Sequence, residues 1–304
     1  PIILKIAPPN ELEVNLIKQN SILISALDLT VNQLNNLKAL INKKITCIAF
    51  EFIQERDSSY PIVSQQNEIS GQASVLISSE LLSNTSNNGK GLFFGNLSGV
   101  PPTDVVIIGS DKVAESAAIA ATKLGARIKI FSNSIFRLNE IQKLIQKPIY
   151  TSTIQKKQLT KALMRCDVAI GAVKDNETTK HIVSEEMVMK MKKGAVIIDT
   201  SLDTTGAFET SSVTSHDKPT FVKHEVIHYC VPNINSRYSR TSSICLSNVL
   251  TPYLIKSIKY GSFENFIRNN NPLKKGVYLF NGLNTNKMIK ELFNIDYNNI
   301  NNII

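Results

Sequence analysis

The chain has 304 residues, 42% hydrophobic and 19% charged, with a formal net charge of +9 at pH 7. That balance suits a globular protein of about two domains and excludes a disordered, fibrous or disulfide-scaffolded chain. The basic residues are spread along it, as in Lys156-Lys157 and Lys192-Lys193, with no basic arm, so no nucleic-acid partner is expected.

The chain opens at Pro1 on the apolar stretch IILKIA, which reads as a strand already inside a domain, so a further N-terminal piece is expected before it. SILISAL reads as a strand, TVNQLNNLKALINKK as an amphipathic helix and ITCIAFEFI as a second buried strand. A helix, QNEISGQASVLISSELL, follows. The segment 84–102, rich in serine, asparagine and glycine before Pro101-Pro102, has loop chemistry and marks a domain boundary. A clearer series comes next: strand DVVIIGS, helix AESAAIAATKLG, strand RIKIFS and helix SIFRLNEIQKLIQ. Further strands are DVAIGAV at 167–173, AVIIDTS at 195–201 and EVIHYCV at 225–231. A long helix, SSICLSNVLTPYLIKSIKYG, returns the chain toward its first domain, and the tail NIDYNNINNII carries no pattern that places it. Apolar runs bounded by glycine and alternating with helices predict an α/β protein with two Rossmann-like, doubly wound domains and mainly parallel sheets.

A nucleotide site in such a fold needs a strand, a glycine turn, a helix N-terminus and an acid about 20 residues on for the ribose hydroxyls. The turn here reads Gly109-Ser110-Asp111-Lys112-Val113-Ala114. The first glycine is in place, the second position is Asp111 and the third is Ala114. Alanine adds one methyl group at a packing position. Asp111 puts a carboxylate where phosphates approach, and a like-charge pair about 4 Å apart costs roughly 4 kcal/mol at an effective dielectric near 20, on the order of a thousandfold in affinity. The ribose acid is replaced by Ser132, which keeps a hydroxyl but loses the charge-assisted bond.

Other signals point away from further chemistry. No apolar run approaches the roughly 18 residues of a membrane span, and no basic-then-apolar leader opens the chain, so no membrane partner and a cytoplasmic location are expected. Cys47, Cys166, Cys230 and Cys245 are far apart and read as reduced, mostly buried thiols. His224-Glu225-Val226-Ile227-His228 fits H-E-x-x-H, which binds zinc only on a helix. The run FVKHEVIHYCV reads as one strand, which would separate the two imidazoles by about 13 Å, so no metal site is expected.

Several strings carry a resemblance: GKGLFFGNLSGVPPTDVVIIG, CDVAIGAV, EEMVMKMKKGAVIIDTSLDTTGAFET, HDKPTFVKHEVIHYCVPNI and SRTSSICLSNVLTPYLIK, with ITCIAFEFI and NEISGQASVLI nearer the start. Together they resemble the alanine dehydrogenase and pyridine nucleotide transhydrogenase alpha-subunit family, on the alanine dehydrogenase side. The resemblance implies a substrate domain from 1–67 and 241–304 and an NAD(H)-binding Rossmann domain over 68–240. It implies reversible oxidative deamination of L-alanine to pyruvate and ammonia with hydride passing to NAD, a small-molecule substrate in the cleft between two domains, and a homo-oligomer. Asp203 corresponds to the family's active-site aspartate; its bland alternative is a helix or turn cap. The implied cofactor set is Gly109, Ser110, Asp111, Val113, Ser132, Gly171, Ala172, Val173 and Asn233, with no metal. The family's substrate lysine falls on Ala7 in Lys5-Ile6-Ala7-Pro8-Pro9, its histidine on Asp28, and its substrate arginine would lie upstream of Pro1. Three readings follow: an active NAD-linked oxidoreductase, on alanine or another substrate, with Asp203 and the cleft intact and cofactor binding weak or lost; a catalytically silent relative serving as oligomeric scaffold or ligand sensor; and a transhydrogenase-type subunit handing hydride to a partner, disfavoured because no membrane segment follows.

Overall fold

The computed structural model describes residues 1–27, 29, 33–84, 88–173, 181–202 and 206–304. In chain order the elements begin with β1 (Ile2–Leu4), α1 (Glu11–Leu16), β2 (Ile22–Ser25), α2 (Leu34–Asn42), β3 (Thr46–Ala49) and the long α3 (Pro61–Leu82). Then come β4 (Asp104–Ile108), α4 (Lys112–Lys123), β5 (Arg127–Phe131), α5 (Ile135–Ile145), β6 (Tyr150–Ser152), α6 (Lys156–Leu163) and β7 (Val168–Gly171). They are followed by α7 (Glu185–Val188), β8 (Val196–Asp199), β9 (Thr220–Lys223), β10 (Val226–Tyr229) and α8 (Ser239–Ser257). The chain finishes with α9 (Phe263–Arg268), α10 (Asn271–Gly276), β11 (Val277–Phe280), β12 (Leu283–Asn284), α11 (Lys287–Phe293) and α12 (Ile300–Ile303). Among the described residues no helix is long and apolar enough to cross a membrane.

Two units result, Pro1–Gln65 with Ile244–Ile304, and Gln66–Ser243. Both are α/β and Rossmann-like, and their sheets are mainly parallel. The first holds a five-stranded sheet in the order β1-β2-β3-β11-β12, parallel across β1, β2 and β3 and antiparallel at β11 and β12. The second holds a seven-stranded sheet, β6-β5-β4-β7-β8-β10-β9, in which only β9 runs antiparallel.

The seven-stranded sheet is covered on both faces, so its central strands carry apolar side chains at successive positions. Strand alternation sends Val105, Ile107, Val168, Ile170, Val196 and Ile198 to one core, shared with Ala114, Ala117, Ala118 and Ala121 of α4. Val106, Ile108, Ala169 and Ile197 point to the other, against Leu159 and Leu163 of α6 and Phe208. Small side chains on the buried face of α4 let the helix lie close to β4 and hold its N-terminus at the strand's end.

Two strand expectations need correction. ITCIAFEFI is a strand only to Ala49, and Phe50–Phe52 forms a 3-10 turn. FVKHEVIHYCV is not one strand: β9 and β10 pair antiparallel, with Val226 opposite Lys223. The two-residue turn between them is His224-Glu225, with φ of 53° and 59°. Both central residues lie at positive φ, as the right-handed twist of a tight hairpin requires. Neither is glycine or asparagine, which is why no turn signal stood in the string. The Asn281-Gly282 turn between β11 and β12, with φ of 48° and 81°, meets the same demand with the expected residues.

The hairpin sends the two histidines to different partners. The His224 ring nitrogen Nε2 lies 2.6 Å from Glu185 Oε1, while His228 is fully buried, stacked on Phe221, with Nε2 2.8 Å from Thr210 Oγ1 and Nδ1 3.0 Å from the Val226 carbonyl. The carbonyl can only accept, so Nδ1 carries the proton and Nε2 accepts from the threonine hydroxyl. Burial pushes the His228 pKa from 6.5 down to about 4. A depressed folded value means the unfolded chain binds the proton first as pH falls. The stability tied to neutral His228 is therefore fully present above pH 6.5 and is lost progressively as pH falls through about 4. Unfolding midpoints in denaturant are expected to drop across that window by the equivalent of about 3 kcal/mol, and His228→Gln should flatten the fall. An equally steep fall in the variant would remove His228 from the account.

Three cysteines, Cys47, Cys166 and Cys230, are buried free thiols, and Cys245 is half-buried. Burial pushes the Cys47 and Cys166 thiols up to about 12, which leaves them without a nucleophilic thiolate at neutral pH.

Candidate functional site

The sheet order places β5 and β6 on one side of β4, and β7, β8 and β10 on the other. Between β4 and β7 the direction of winding reverses, and the crevice beyond the carboxyl ends of strands at such a point is where ligands bind in this architecture. The Gly109-Ser110-Asp111 turn sits there, between β4 and α4.

Gly109 is demanded by the chain itself. Its φ is +116°, and a Cβ on it would lie 1.7 Å from the Ala172 carbonyl oxygen. Its amide donates to the Phe131 carbonyl at 2.8 Å, and the Ala172 amide donates to the Ile108 carbonyl at 2.8 Å. The turn is thereby clamped between the ends of β5 and β7. Gly171 is also tight, since a Cβ there would meet the Ala207 Cβ at 2.7 Å. The Val173 amide donates to Ser201 Oγ at 2.8 Å, which links the end of β7 to the segment after β8.

Asp111 is the N-cap of α4. Its side chain accepts from the Ala114 amide at 2.9 Å, with an ordinary extended backbone at φ −72°. The carboxylate thus occupies one of the four amides that a helix start exposes, the groups a dinucleotide pyrophosphate would otherwise use. Val113 sends its side chain into the core and contributes backbone alone to the turn. Ser110 and Ser132 are both buried, their hydroxyl oxygens 2.7 Å apart, and the Ser134 amide donates to Ser132 Oγ at 3.2 Å. Sequence reasoning left the Ser132 hydroxyl for ribose; in the fold it is already shared.

A charged cluster beside the turn went unread in the sequence. Glu115 is buried in the first turn of α4 and takes Lys112 Nζ at 2.6 Å on one oxygen and Arg137 Nη2 at 3.0 Å on the other. Arg137 Nε also donates to the Ser110 carbonyl at 3.1 Å. An acid in the otherwise small, apolar face of α4 was the available signal.

At the end of β8, Asp199 is buried and accepts from the Ser201 amide at 3.0 Å, the Ala207 amide at 3.0 Å, the Phe208 amide at 3.3 Å and Ser211 Oγ at 2.7 Å. Burial raises its carboxyl above the usual range, against the pull of those donors. Its partners lie on both sides of residues 203–205, at Ser201 and at Ala207, Phe208 and Ser211. Asp203 itself, like Asp28, lies outside the described residues. Asn233 follows β10, is exposed, and adopts the left-handed conformation at φ 54° with its carbonyl accepting from the Ser236 amide and hydroxyl, both at 3.0 Å.

In the other unit, Ala7 follows β1 and is exposed, and the neighbouring Lys5 is held by Glu13 at 3.0 Å. Glu51, in the turn after β3, accepts from the Leu27 amide at 2.6 Å through Oε1; its Oε2 is buried with no partner among the described residues, and burial raises its carboxyl. It was hidden inside a string read as continuous strand.

The family model described as "Alanine dehydrogenase/PNT, N-terminal domain" matches residues 1–70, and the one described as "Alanine dehydrogenase/PNT, C-terminal domain" matches residues 74–287. An alanine dehydrogenase of Staphylococcus epidermidis is 35% identical over 301 residues, 98% of this chain and 80% of that protein. Alanine dehydrogenase 2 of Staphylococcus aureus is 34% identical over the same shares of both chains. A solved L-alanine dehydrogenase superposes with a TM-score of 0.88 at 27% identity, over 96% of this chain and 80% of the other. A transhydrogenase from Sinorhizobium meliloti shares the fold, with a TM-score of 0.75 at 16% identity over 94% and 80%.

Proposed function

Because the chain belongs to the alanine dehydrogenase/PNT family, we propose that it is an alanine dehydrogenase-like oxidoreductase that holds a nicotinamide dinucleotide weakly, with NAD the form the family implies. The observation that carries this is the Gly109 turn, set at the switch point of a parallel sheet in a chain 35% identical to an alanine dehydrogenase. The turn's backbone and the start of α4 fit a pyrophosphate; the Asp111 carboxylate over the same helix start lowers the affinity. The reaction class is the reversible conversion of L-alanine and water to pyruvate and ammonia, and the bound nicotinamide would supply the hydride acceptor. Asp203 is the active-site aspartate by correspondence, and Asp199 is the positioning residue that ties down both sides of its segment. Gly171, Ala172 and Val173 would wall the crevice from the β7 side, and Asn233 from the β10 side. A homo-oligomer in the cytoplasm belongs to the same proposal.

One observation favours a second reading, a catalytically silent relative that serves as scaffold or ligand sensor: a carboxylate caps the helix where phosphate would bind. Titration of NADH into the full chain, followed by nucleotide fluorescence, separates the two. The expected dissociation constant is in the hundreds of micromolar, scaled from the charge penalty of about 4 kcal/mol per close pair. No binding at millimolar concentration selects the silent reading. A low-micromolar constant would mean that Lys112 or the helix amides neutralise Asp111.

A further inference from the structure

We infer that the dinucleotide this turn prefers carries a phosphate on the 2′-oxygen of its adenosine ribose, as NADP(H) does; the inference rests on the dinucleotide reading above and goes beyond it. Discrimination in this architecture is made at the end of the second strand. An acid there accepts from the ribose hydroxyls and repels a 2′-phosphate, whereas an arginine nearby accommodates the phosphate. β5 ends at Phe131 and the next residue is Ser132, so the repelling charge is missing. The Ser132 hydroxyl does not replace it: fully buried, it is shared with Ser110 Oγ at 2.7 Å and with the Ser134 amide at 3.2 Å. An unphosphorylated ribose loses its usual acceptor, and a 2′-phosphate loses its usual obstacle.

The same place is supplied with donors. α5, eleven residues long, starts two residues beyond Ser132's neighbour Asn133, with Ser134 as N-cap, so its dipole presents positive charge toward the strand end. Arg137, in its first turn, is anchored to the nucleotide turn through the Ser110 carbonyl at 3.1 Å. Ser110 is the residue whose hydroxyl bonds Ser132, so the guanidinium and the ribose-recognition position share one partner. Lys112 stands on the other side of Glu115, and the Arg137 and Lys112 side chains are 36% and 35% exposed, open to a ligand. One buried carboxylate serves two cations, which leaves a positive charge uncompensated by Glu115. Asp111 supplies a second carboxylate, so the four side chains balance in formal charge, and selection for a 2′-phosphate rests on where the Arg137 guanidinium stands, beside Ser110 and Ser132. A phosphate carrying close to two negative charges gains charge-assisted bonds from such a set, and a bidentate guanidinium adds geometric selectivity.

The test is a parallel titration of NADH and NADPH into the full chain by nucleotide fluorescence, with 5′-ADP and 2′,5′-ADP compared as competitors or in calorimetry. NADPH is expected to bind at least tenfold more tightly than NADH, and 2′,5′-ADP likewise against 5′-ADP. Arg137→Met should weaken NADPH at least tenfold more than it weakens NADH, and Ser132→Asp should reverse the preference. Added salt should weaken NADPH more steeply than NADH. NADH binding as tightly as NADPH overturns the inference and leaves the dinucleotide reading standing; so does an Arg137→Met variant that weakens both alike. Binding of neither nucleotide at millimolar concentration overturns both. The 5′-ADP against 2′,5′-ADP comparison uses the unmodified chain, so it decides the question even if a variant does not fold.

Discussion

Oxidation of L-alanine by this chain is expected to run about 10⁴-fold below that of an alanine dehydrogenase carrying both the family's lysine and its histidine, measured as NADH formation at saturating alanine. By the resemblance of the sequence, the family's two cationic donors correspond to Ala7 and Asp28, and a methyl group or a carboxylate would give the carbonyl of pyruvate no positive hydrogen-bond donor. Loss of one such donor costs on the order of a hundredfold in rate, and two independent losses multiply. The neighbouring Lys5 rests in a partly exposed ion pair with Glu13 at 3.0 Å. The expected deficit in chemistry stands beside the proposed weak cofactor binding, so repairing the nucleotide turn alone should leave alanine oxidation at background. An ordinary enzymatic rate, in the unmodified chain or in the turn-repaired variant described next, would show that Ala7 and Asp28 are wrongly matched to those roles.

Repair of the turn is expected to show in NADH affinity. Asp111→Gly, Ala114→Gly and Ser132→Asp combined should strengthen NADH binding by tenfold at least, about 1.4 kcal/mol, with roughly 4 kcal/mol as the upper end set by one close like-charge pair. Each substitution acts on a contact in the fold. Glycine at 111 removes the carboxylate that holds the Ala114 amide and frees that donor for phosphate, while glycine in place of an Asp N-cap costs the helix only a few tenths of a kcal/mol. Aspartate at 132 would find the Ser110 hydroxyl and the Ser134 amide, which now serve the buried serine, and would return an acceptor for ribose. Calorimetry or fluorescence titration of the triple variant against the unmodified chain measures the gain. An unchanged constant would mean that Asp111 does not oppose the phosphates.

Much of the architecture was legible in local pattern. Apolar runs such as DVVII and VAIG announce strands buried on both faces, and their spacing by helices announces parallel crossovers, because periodicity and length are properties of neighbouring residues. The glycine turn was legible for the same reason, and so were the substitutions at Asp111 and Ser132. The hairpin at His224-Glu225 was not, since its residues carry none of the usual turn chemistry and only pairing with β10 holds them at positive φ.

What the sequence by itself determined is the fold, the position of the turn and the identity of the residues missing from it. Only the tertiary structure decided what the residues present do instead. Ser110 meets Ser132 across 22 positions of sequence, Glu115 meets Arg137 across 22, and Asp199 gathers donors from both sides of the segment bearing Asp203. Such partners come together when β4, β5 and β8 line up in one sheet, so no local period records them. A carboxylate or hydroxyl is defined chemically by what it faces: Asp111 became a helix cap and Ser132 a buried bridge when the fold supplied an amide to the one and a second hydroxyl to the other.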